Sequence, residues 1–125
     1  MTSFGLIVGN RGFFPSALCE EGRKRLEKVL ADLDIAVVGL TAEDTPYGTV
    51  ETYEDAKKCA ALFKANAERI DGILVTLPNF GDERGVAEAI RLSGLRVPVL
   101  VHAFPDEIDQ MSIVRRRDSF CGKMS

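Results

Sequence analysis

Four short apolar runs, separated by longer segments with helical periodicity, constrain the fold of this chain more than any other feature. They occupy residues 6–8, 35–40, 72–77 and 97–103. This alternation is typical of βαβ units, in which parallel strands are joined by crossover helices. Because each run is apolar at successive positions, helices are expected to cover both faces of the resulting sheet.

Three intervening segments carry apolar residues three and four positions apart, which predicts one amphipathic helix in each. In the first, Ser16 is expected to cap the helix, because a serine oxygen accepts hydrogen bonds from free amides. Thr52 with Asp55 approximates a capping box at the second helix. Asp82 is the expected cap of the third, which Gly94 closes in a left-handed conformation. The buried face of the first helix is expected to comprise Leu18, Gly22, Leu26, Val29, Leu30 and Leu33.

Together these elements predict an α/β fold: a flavodoxin-like (Rossmann-like) three-layer αβα sandwich around a parallel sheet of order 2-1-3-4. Four strands are fewer than the five usual for a flavodoxin-like sheet, so the domain is expected to be truncated before a fifth strand. We expect a single α/β domain over residues 1–125. Its core would span residues 4–104, and residues 105–125 would form a tail that leads into the rest of a longer protein.

Charge, hydropathy and cysteine content narrow the class of protein. The net charge is −3 and the only basic run, 115–117, is followed by Asp118, so no nucleic-acid partner is expected. No apolar run approaches the roughly 20 residues that cross a bilayer, which argues against a membrane partner. The widely spaced Cys19, Cys59 and Cys121 match no metal or redox motif and indicate reduced thiols in a cytoplasmic protein.

Polar and aromatic residues follow the strand candidates at the edge of the sheet where parallel α/β folds bind ligands, and the strand order places the loops after the first and third runs side by side. The candidate substrate-binding residues are Asn10, Arg11, Asn79, Phe80 and His102. These groups suit a sugar, which offers hydroxyls to planar polar groups and C–H faces to rings. Structural alternatives stay open: tight turns, a surface ion pair for Arg11, a packing ring for Phe80 and a hydrogen-bonded structural role for His102.

Signatures of self-contained catalysis are missing from the sequence. There is no GxGxxG or GxxxxGK[ST] loop, which argues against a dinucleotide or nucleoside triphosphate site. Histidine and carboxylate residues do not occur at metal-ligand spacing, and the single histidine has no adjacent nucleophile. We therefore expect no catalytic residue and no cofactor in this chain, which by itself binds or assembles.

Four stretches of the chain carry a family resemblance. They are residues 9–15 (GNRGFFP), 75–83 (VTLPNFGDE), 98–104 (PVLVHAF) and 116–123 (RRDSFCGK). Together they resemble the amino-terminal domain of the L-fucose isomerase-like proteins, which interconvert aldoses and ketoses and have the L-arabinose isomerases as relatives.

The resemblance implies that this chain is the first domain of a longer, metal-dependent aldose–ketose isomerase and is inactive alone. The divalent metal, Mn²⁺, would be held by carboxylates and a histidine of the remaining domains. The first domain would shape the substrate pocket, often that of a neighbouring subunit, so a homo-oligomer is expected. Arg11 matches a family arginine at the end of the first strand. Phe80 lies near the pocket tryptophan of some members, whereas this chain has no tryptophan.

A second hypothesis belongs to a different class of protein: a stand-alone flavodoxin-like module that binds a sugar or another small ligand. Such a module would act without isomerase domains. The parent gene beyond Ser125 is expected to distinguish the two hypotheses: several hundred further residues rich in acidic and histidine ligands favour the isomerase, and a stop codon favours the module.

Overall fold

Four parallel strands form one sheet in this computed structural model, which describes residues 1–113 and 115–125 and only the backbone of Gln110. The strands are β1 (Ser3–Val8), β2 (Ala36–Gly39), β3 (Gly72–Leu77) and β4 (Val99–Ala103). They lie in the order β2-β1-β3-β4, and every neighbouring pair is parallel. The predicted strand order and strand direction are confirmed.

Helices pack around the sheet and complete the predicted α/β three-layer fold. They are α1 (Ala17–Asp32), α2 (Tyr53–Ala65), α3 (Glu83–Ser93) and the short α4 (Ser119–Met124). One core cluster joins α2 and α3 to one face of the sheet around Phe63 and Val75. A second cluster joins α1 to the other face around Leu6 and Leu30. Short 3-10 turns occupy Pro46–Gly48, Ala67–Arg69 and Ile108–Gln110.

The ends of α2 and α3 follow local chemistry that the sequence predicts. Thr52 accepts the N–H of Asp55 at 3.1 Å while the Asp55 carboxylate accepts the Thr52 N–H at 3.2 Å, which completes the capping box. The Asp82 carboxylate accepts the N–H of Gly85 at 2.9 Å and caps α3. Gly94 ends α3 with φ of 68°, in the left-handed region that a residue without Cβ adopts freely. All three caps are confirmed.

Two predictions for α1 are wrong. Ser16 has helical backbone angles and makes no side-chain cap hydrogen bond. Its hydroxyl instead accepts the side-chain amide of Asn10 at 3.4 Å. Val29 and Leu33 are exposed, with relative exposures of 52% and 64%, although they were expected on the buried face. The prediction failed because helical spacing shows which residues share a face but not whether another element covers that face.

The edge strand β4 also differs from expectation. Val99 and Leu100 keep 43% and 66% of their surface exposed, although their apolar run predicts burial on both faces. The strand pairs on one side with β3, and its other edge has no strand partner among the described residues. Coverage of both faces is therefore confirmed for the inner strands β1 and β3 and is wrong for the first half of β4.

The chain makes an excursion between β2 and the loop that precedes α2. Gly39 pairs with Leu6 of β1. The chain then leaves the sheet and returns to it at Val50, which forms a parallel β-bridge with Gly9 just after the end of β1. Within the excursion, residues 40–49, the Thr45 hydroxyl donates to the Thr49 carbonyl at 2.7 Å. The return at Val50 carries the next residue to the carboxyl edge of the sheet.

The segment after β4 folds back onto the carboxyl edge of β3. The Arg117 guanidinium donates to the carbonyl of Pro78 at 2.9 Å, and the N–H of Phe104 donates to the Ser119 hydroxyl at 2.9 Å. The Ser119 hydroxyl donates in turn to the carbonyl of Leu77. None of the helices in the described part of the chain has the length and apolar character needed to cross a membrane.

Candidate functional site

The loops that leave β1 and β3 meet at the carboxyl edge of the sheet and form one surface there, residues 9–14 and 78–83, which we call the crevice. The Arg11 N–H donates to Asn79 Oδ1 at 3.3 Å, and the Arg11 guanidinium lies 5.1 Å from the centre of the Phe80 ring. Neighbouring parallel strands deliver their loops side by side to one edge. The prediction that these two loops lie within reach of each other is confirmed.

Arg11 carries its guanidinium at the mouth of the crevice. Its Nη1 lies 3.2 Å from Glu83 Oε2 at the start of α3, and 29% of the side chain is exposed. The same group lies 5.5 Å from the centre of the Phe13 ring as well as over Phe80. Two rings and one carboxylate orient a cation that still reaches solvent, so its remaining N–H groups are able to donate to a ligand.

Aromatic rings form one wall of the crevice. Phe80 and Phe14 stack with ring centres 5.4 Å apart and planes inclined by 24°. Phe13 lies 4.9 Å from Phe14, and the Arg116 guanidinium lies 5.7 Å from the Phe14 ring. This wall combines flat apolar faces with nearby cations, the pairing of surfaces that a polyol ring needs from a protein.

Asn10 and Asn79 lie buried beneath the crevice. Asn79 Nδ2 donates to Asn10 Oδ1 at 2.8 Å, and Asn79 Oδ1 accepts the N–H groups of Arg11 and Gly81, the latter at 3.0 Å. Asn10 Nδ2 reaches on to Ser16 beside the start of α1. The two amides therefore tie both crevice loops together and to α1, and direct contact of either with a ligand stays a prediction.

His102 lies on β4, on the sheet face that α1 packs against, and its ring contacts differ from those of the crevice residues. Nδ1 lies 3.0 Å from Thr76 Oγ1, and the ring packs edge-on against Phe104 with centres 4.8 Å apart. Burial, followed by the charges of Lys123 and Arg25, lowers the pKa of His102, so the imidazole is neutral near pH 7. A ligand-binding role for His102 stays a prediction.

Glu51 lies beside the crevice and was missed by sequence reasoning. Its carboxylate lies against Gly12, where an added Cβ would come within 2.6 Å of Glu51 Oε1, and with Asp82 it lines an open cavity of about 850 Å³. Burial, followed by the charges of Asp55 and Asp82, raises the pKa of Glu51. The sequence contains only an indirect signal: the polar loop ends at apolar Val50, which returns the chain to the sheet immediately before this carboxylate.

The cysteines and acidic residues determine whether the domain holds a reactive thiol or a metal. Burial raises the pKa of Cys19 and of Cys59 to about 12, so both thiols stay protonated near neutral pH. Cys121 is exposed. Among the residues that the structure describes, no group of three or more His, Cys, Asp or Glu side chains is arranged to hold a metal ion. The crevice therefore offers a ligand a guanidinium, ring faces and a carboxylate.

The fold and the crevice define a parallel α/β domain with a polar and aromatic binding edge. Residues 5–125 match the family model described as fucose/sulfoquinovose isomerase, N-terminal domain, and the chain therefore belongs to this family. The resemblance carried by the four sequence stretches is confirmed at the level of the family. Neither the curated proteins nor the solved structures contain a significant match to the chain.

Proposed function

We propose that this chain is the substrate-pocket and assembly domain of a metal-dependent aldose–ketose isomerase of the L-fucose isomerase-like type, with a role in carbohydrate metabolism. The observation that carries the proposal is the Arg11 guanidinium held over Phe80 at the open edge of the sheet, in a chain of the fucose/sulfoquinovose isomerase family. The domain contributes sugar binding and assembly, and the remaining domains contribute the chemistry.

A sugar suits this edge because it presents two kinds of surface. Its hydroxyl oxygens accept hydrogen bonds from the Arg11 guanidinium, and its C–H face packs on the Phe80 ring. In this proposal Asn10 and Asn79 hold the two loops in place, and His102 borders the pocket from β4. The ligand is an aldose or the corresponding ketose.

The metal and the proton transfer belong to the remaining domains of the isomerase in this proposal. Mn²⁺ does not fit the present domain, because its described residues offer no cluster of three ligands. Its chemistry, polarisation of the carbonyl and hydroxyl oxygens of the sugar, is therefore assigned to the other domains, and this chain is not catalytic alone.

We also propose that the domain works in the cytoplasm as part of a homo-oligomer. The exposed Val99 and Leu100 support assembly, because an apolar edge strand is a template for pairing with another chain. The protonated thiols of Cys19 and Cys59 are compatible with a reducing compartment.

The test compares Arg11→Ala with the control Arg96→Ala, which removes an exposed arginine just before β4, at the opposite edge of the sheet. The ¹⁵N-labelled chain is titrated with L-fucose and with L-arabinose up to about 100 mM, which covers millimolar dissociation constants. We expect saturable NMR shifts at residues 9–14 and 78–83 in the wild type and in Arg96→Ala. Arg11→Ala is expected to lose them.

Loss of folding does not explain such a result. The Arg11–Glu83 ion pair is partly exposed, so Arg11→Ala is expected to reduce the free energy of unfolding by only about 1–2 kcal/mol. Saturable shifts that persist in Arg11→Ala, or the absence of saturable shifts with either sugar, contradict the proposal. Binding by the isolated chain at about micromolar concentration would favour the stand-alone module.

A further inference from the structure

Residues 117–122, which we call the α4 segment, contact the backbone of the loop that follows β3. The Ser119 hydroxyl donates to the carbonyl of Leu77, the last residue of β3. The Arg117 guanidinium donates to the carbonyl of Pro78, the next residue, at 2.9 Å. These two bonds fix the direction in which the chain leaves β3, at the start of the loop that forms half of the crevice.

The same segment packs against Phe80 with no side chain between the two backbones. Gly122 of α4 lies so close to the Phe80 carbonyl that a Cβ added to the glycine would overlap the carbonyl oxygen. The added Cβ would also lie 3.0 Å from Phe80 Cα. The close approach therefore depends on glycine, and it confines the Phe80 backbone from the side of α4.

The α4 segment is itself anchored and can therefore serve as a fixed support. The Asp106 carboxylate accepts the N–H of Arg117 at 2.6 Å and the N–H of Asp118 at 3.1 Å. The Ser119 hydroxyl accepts the N–H of Phe104 at 2.9 Å. Both anchors lie in the stretch that directly follows β4, the strand that pairs with β3. The α4 segment thus links the backbone after β4 to the loop after β3.

Arg117 is a buried cation, with 5% of its surface exposed, and its guanidinium lies 4.9 Å from the centre of the Phe104 ring. Burial of a charged guanidinium costs free energy unless hydrogen bonds satisfy it. A neutral side chain of similar length would fill the space beside Phe104 without this cost, but it could not donate to the Pro78 carbonyl. The bond to the crevice loop therefore explains the buried charge better than packing does. Two acidic and two basic groups lie near the guanidinium: Glu21, Asp106, Arg25 and Arg115.

We propose that Arg117 is a positioning residue for sugar binding: through the Pro78 carbonyl it fixes the loop that presents the Phe80 ring to the sugar. This inference rests on the proposed function, in which the C–H face of the sugar packs on Phe80. Asn79 ties this loop to the loop after β1, and Arg117 with Gly122 holds it from the side of α4. Contacts with the loop after β1 orient the ring, and the backbone held by the α4 segment determines where the ring meets that loop.

The experiment uses the full 125-residue chain and four variants. Arg117→Met removes the donor at similar length, Arg117→Lys keeps a charged donor, and Gly122→Ala places a methyl group against the Phe80 carbonyl. Arg25→Met is the matched control, because this exposed arginine of α1 lies over the same Phe104 ring, 5.4 Å from its centre. The ring-proton chemical shifts of Phe80 measure the position of the ring, L-fucose titration measures binding, and urea denaturation measures the free energy of unfolding.

We expect Arg117→Met and Gly122→Ala to shift the Phe80 ring protons and to weaken L-fucose binding about tenfold, the equivalent of one lost hydrogen bond. Arg117→Lys should shift them less and keep most of the affinity, because its ammonium group can still donate to the Pro78 carbonyl. Arg25→Met should leave both properties near their wild-type values. If Arg117→Met lowers only the free energy of unfolding, with unchanged Phe80 shifts and affinity, or if Arg25→Met loses as much affinity, the inference is overturned.

The proposed function and this inference fail in different ways. If the Phe80 shifts respond as expected but the wild type binds neither L-fucose nor L-arabinose, the proposed function is wrong and the hold of Arg117 on the loop stands. If the wild type binds L-fucose and Arg117→Met binds it equally well, the positioning role is wrong and the proposed function stands. Should Arg117→Met fail to fold, Arg117→Lys and Gly122→Ala decide by the same two measurements: displaced Phe80 protons with weaker binding support the role, and unchanged values overturn it.

Discussion

Asn79→Leu is expected to lower the free energy of unfolding by about 2–3 kcal/mol, because it removes a buried hydrogen-bonding hub at nearly constant volume. Asn79 is fully buried. Its amide bonds Asn10 Oδ1 at 2.8 Å, the Gly81 N–H at 3.0 Å and the Arg11 N–H at 3.3 Å. Leucine has a similar size and serves none of these partners.

The magnitude follows from the groups that lose their partner. Asn10 Oδ1 and the Gly81 N–H stay buried, and each costs about 1–3 kcal/mol when unpaired. Arg11 is partly exposed, so water replaces Asn79 at its N–H with little loss. Burial of the leucine side chain offsets roughly 1–2 kcal/mol of the total. The remaining loss is a large share of the free energy of unfolding of a typical domain, which is ~5–15 kcal/mol.

Urea denaturation followed by far-UV circular dichroism measures the effect, since the chain has no tryptophan to serve as a fluorescence probe. Asn66→Leu is the matched control. Asn66 is partly buried; its side-chain amide donates to the carbonyl of Leu62 at 2.9 Å and accepts the exposed Arg69 guanidinium at 3.5 Å, so a loss of about 1 kcal/mol is expected. A loss in Asn79→Leu no larger than the loss in Asn66→Leu would refute the reasoning, because a fully buried amide with buried partners must cost more than a partly exposed one.

Two further predictions concern titration and thiol reactivity. The pKa of His102 is lower in the folded state than its ordinary value of 6.5, so neutral His102 stabilises the fold above pH 6.5 and this stabilisation is lost as the pH falls through the folded-state pKa. The free energy of unfolding should therefore decrease from about pH 7.5 to about pH 5. In urea titrations over this range, His102→Asn should make that decrease smaller. Native alkylation with iodoacetamide should modify Cys121 and spare Cys19 and Cys59, with mass spectrometry as the readout; rapid labelling of either buried thiol would argue against its burial.

The caps of α2 and α3 were predictable because they depend on short-range patterns, and the strand order was predictable because few topologies are open to such a chain. Thr52 and Asp55 satisfy each other's amides within one helical turn, so their spacing is sufficient information. Short apolar runs joined by long crossovers leave few parallel topologies, and the observed order is one of them. The α1 cap was not predictable in the same way, because Ser16 bonds a side chain that arrives from the β1 loop.

The location of the crevice was predictable, but the burial and the contacts of its individual residues were not. Asn79 and Arg11 both follow strands, yet one amide is fully buried and the guanidinium reaches solvent, a difference that arises from packing against α1 and α3. Glu51 was missed because its place depends on the return of the chain at Val50. Sequence spacing does not show where the chain returns to the sheet, because the excursion separates Glu51 from β2.

The excursion at residues 40–49 gives the domain a segment whose length is free to vary. Both of its ends pair with β1 or the residue after it: Gly39 with Leu6, and Val50 with Gly9. Residues inserted between these two pairings need not shift the contacts at the carboxyl edge of the sheet. The exposed tip at residues 41–44 is the natural place for such an insertion. An epitope, a spectroscopic probe or an additional binding loop grafted at this tip would lie beside α2 while Glu51 and the Arg11 loop keep their positions. The same architecture allows homologous chains to differ in loop length here without a change in the sheet.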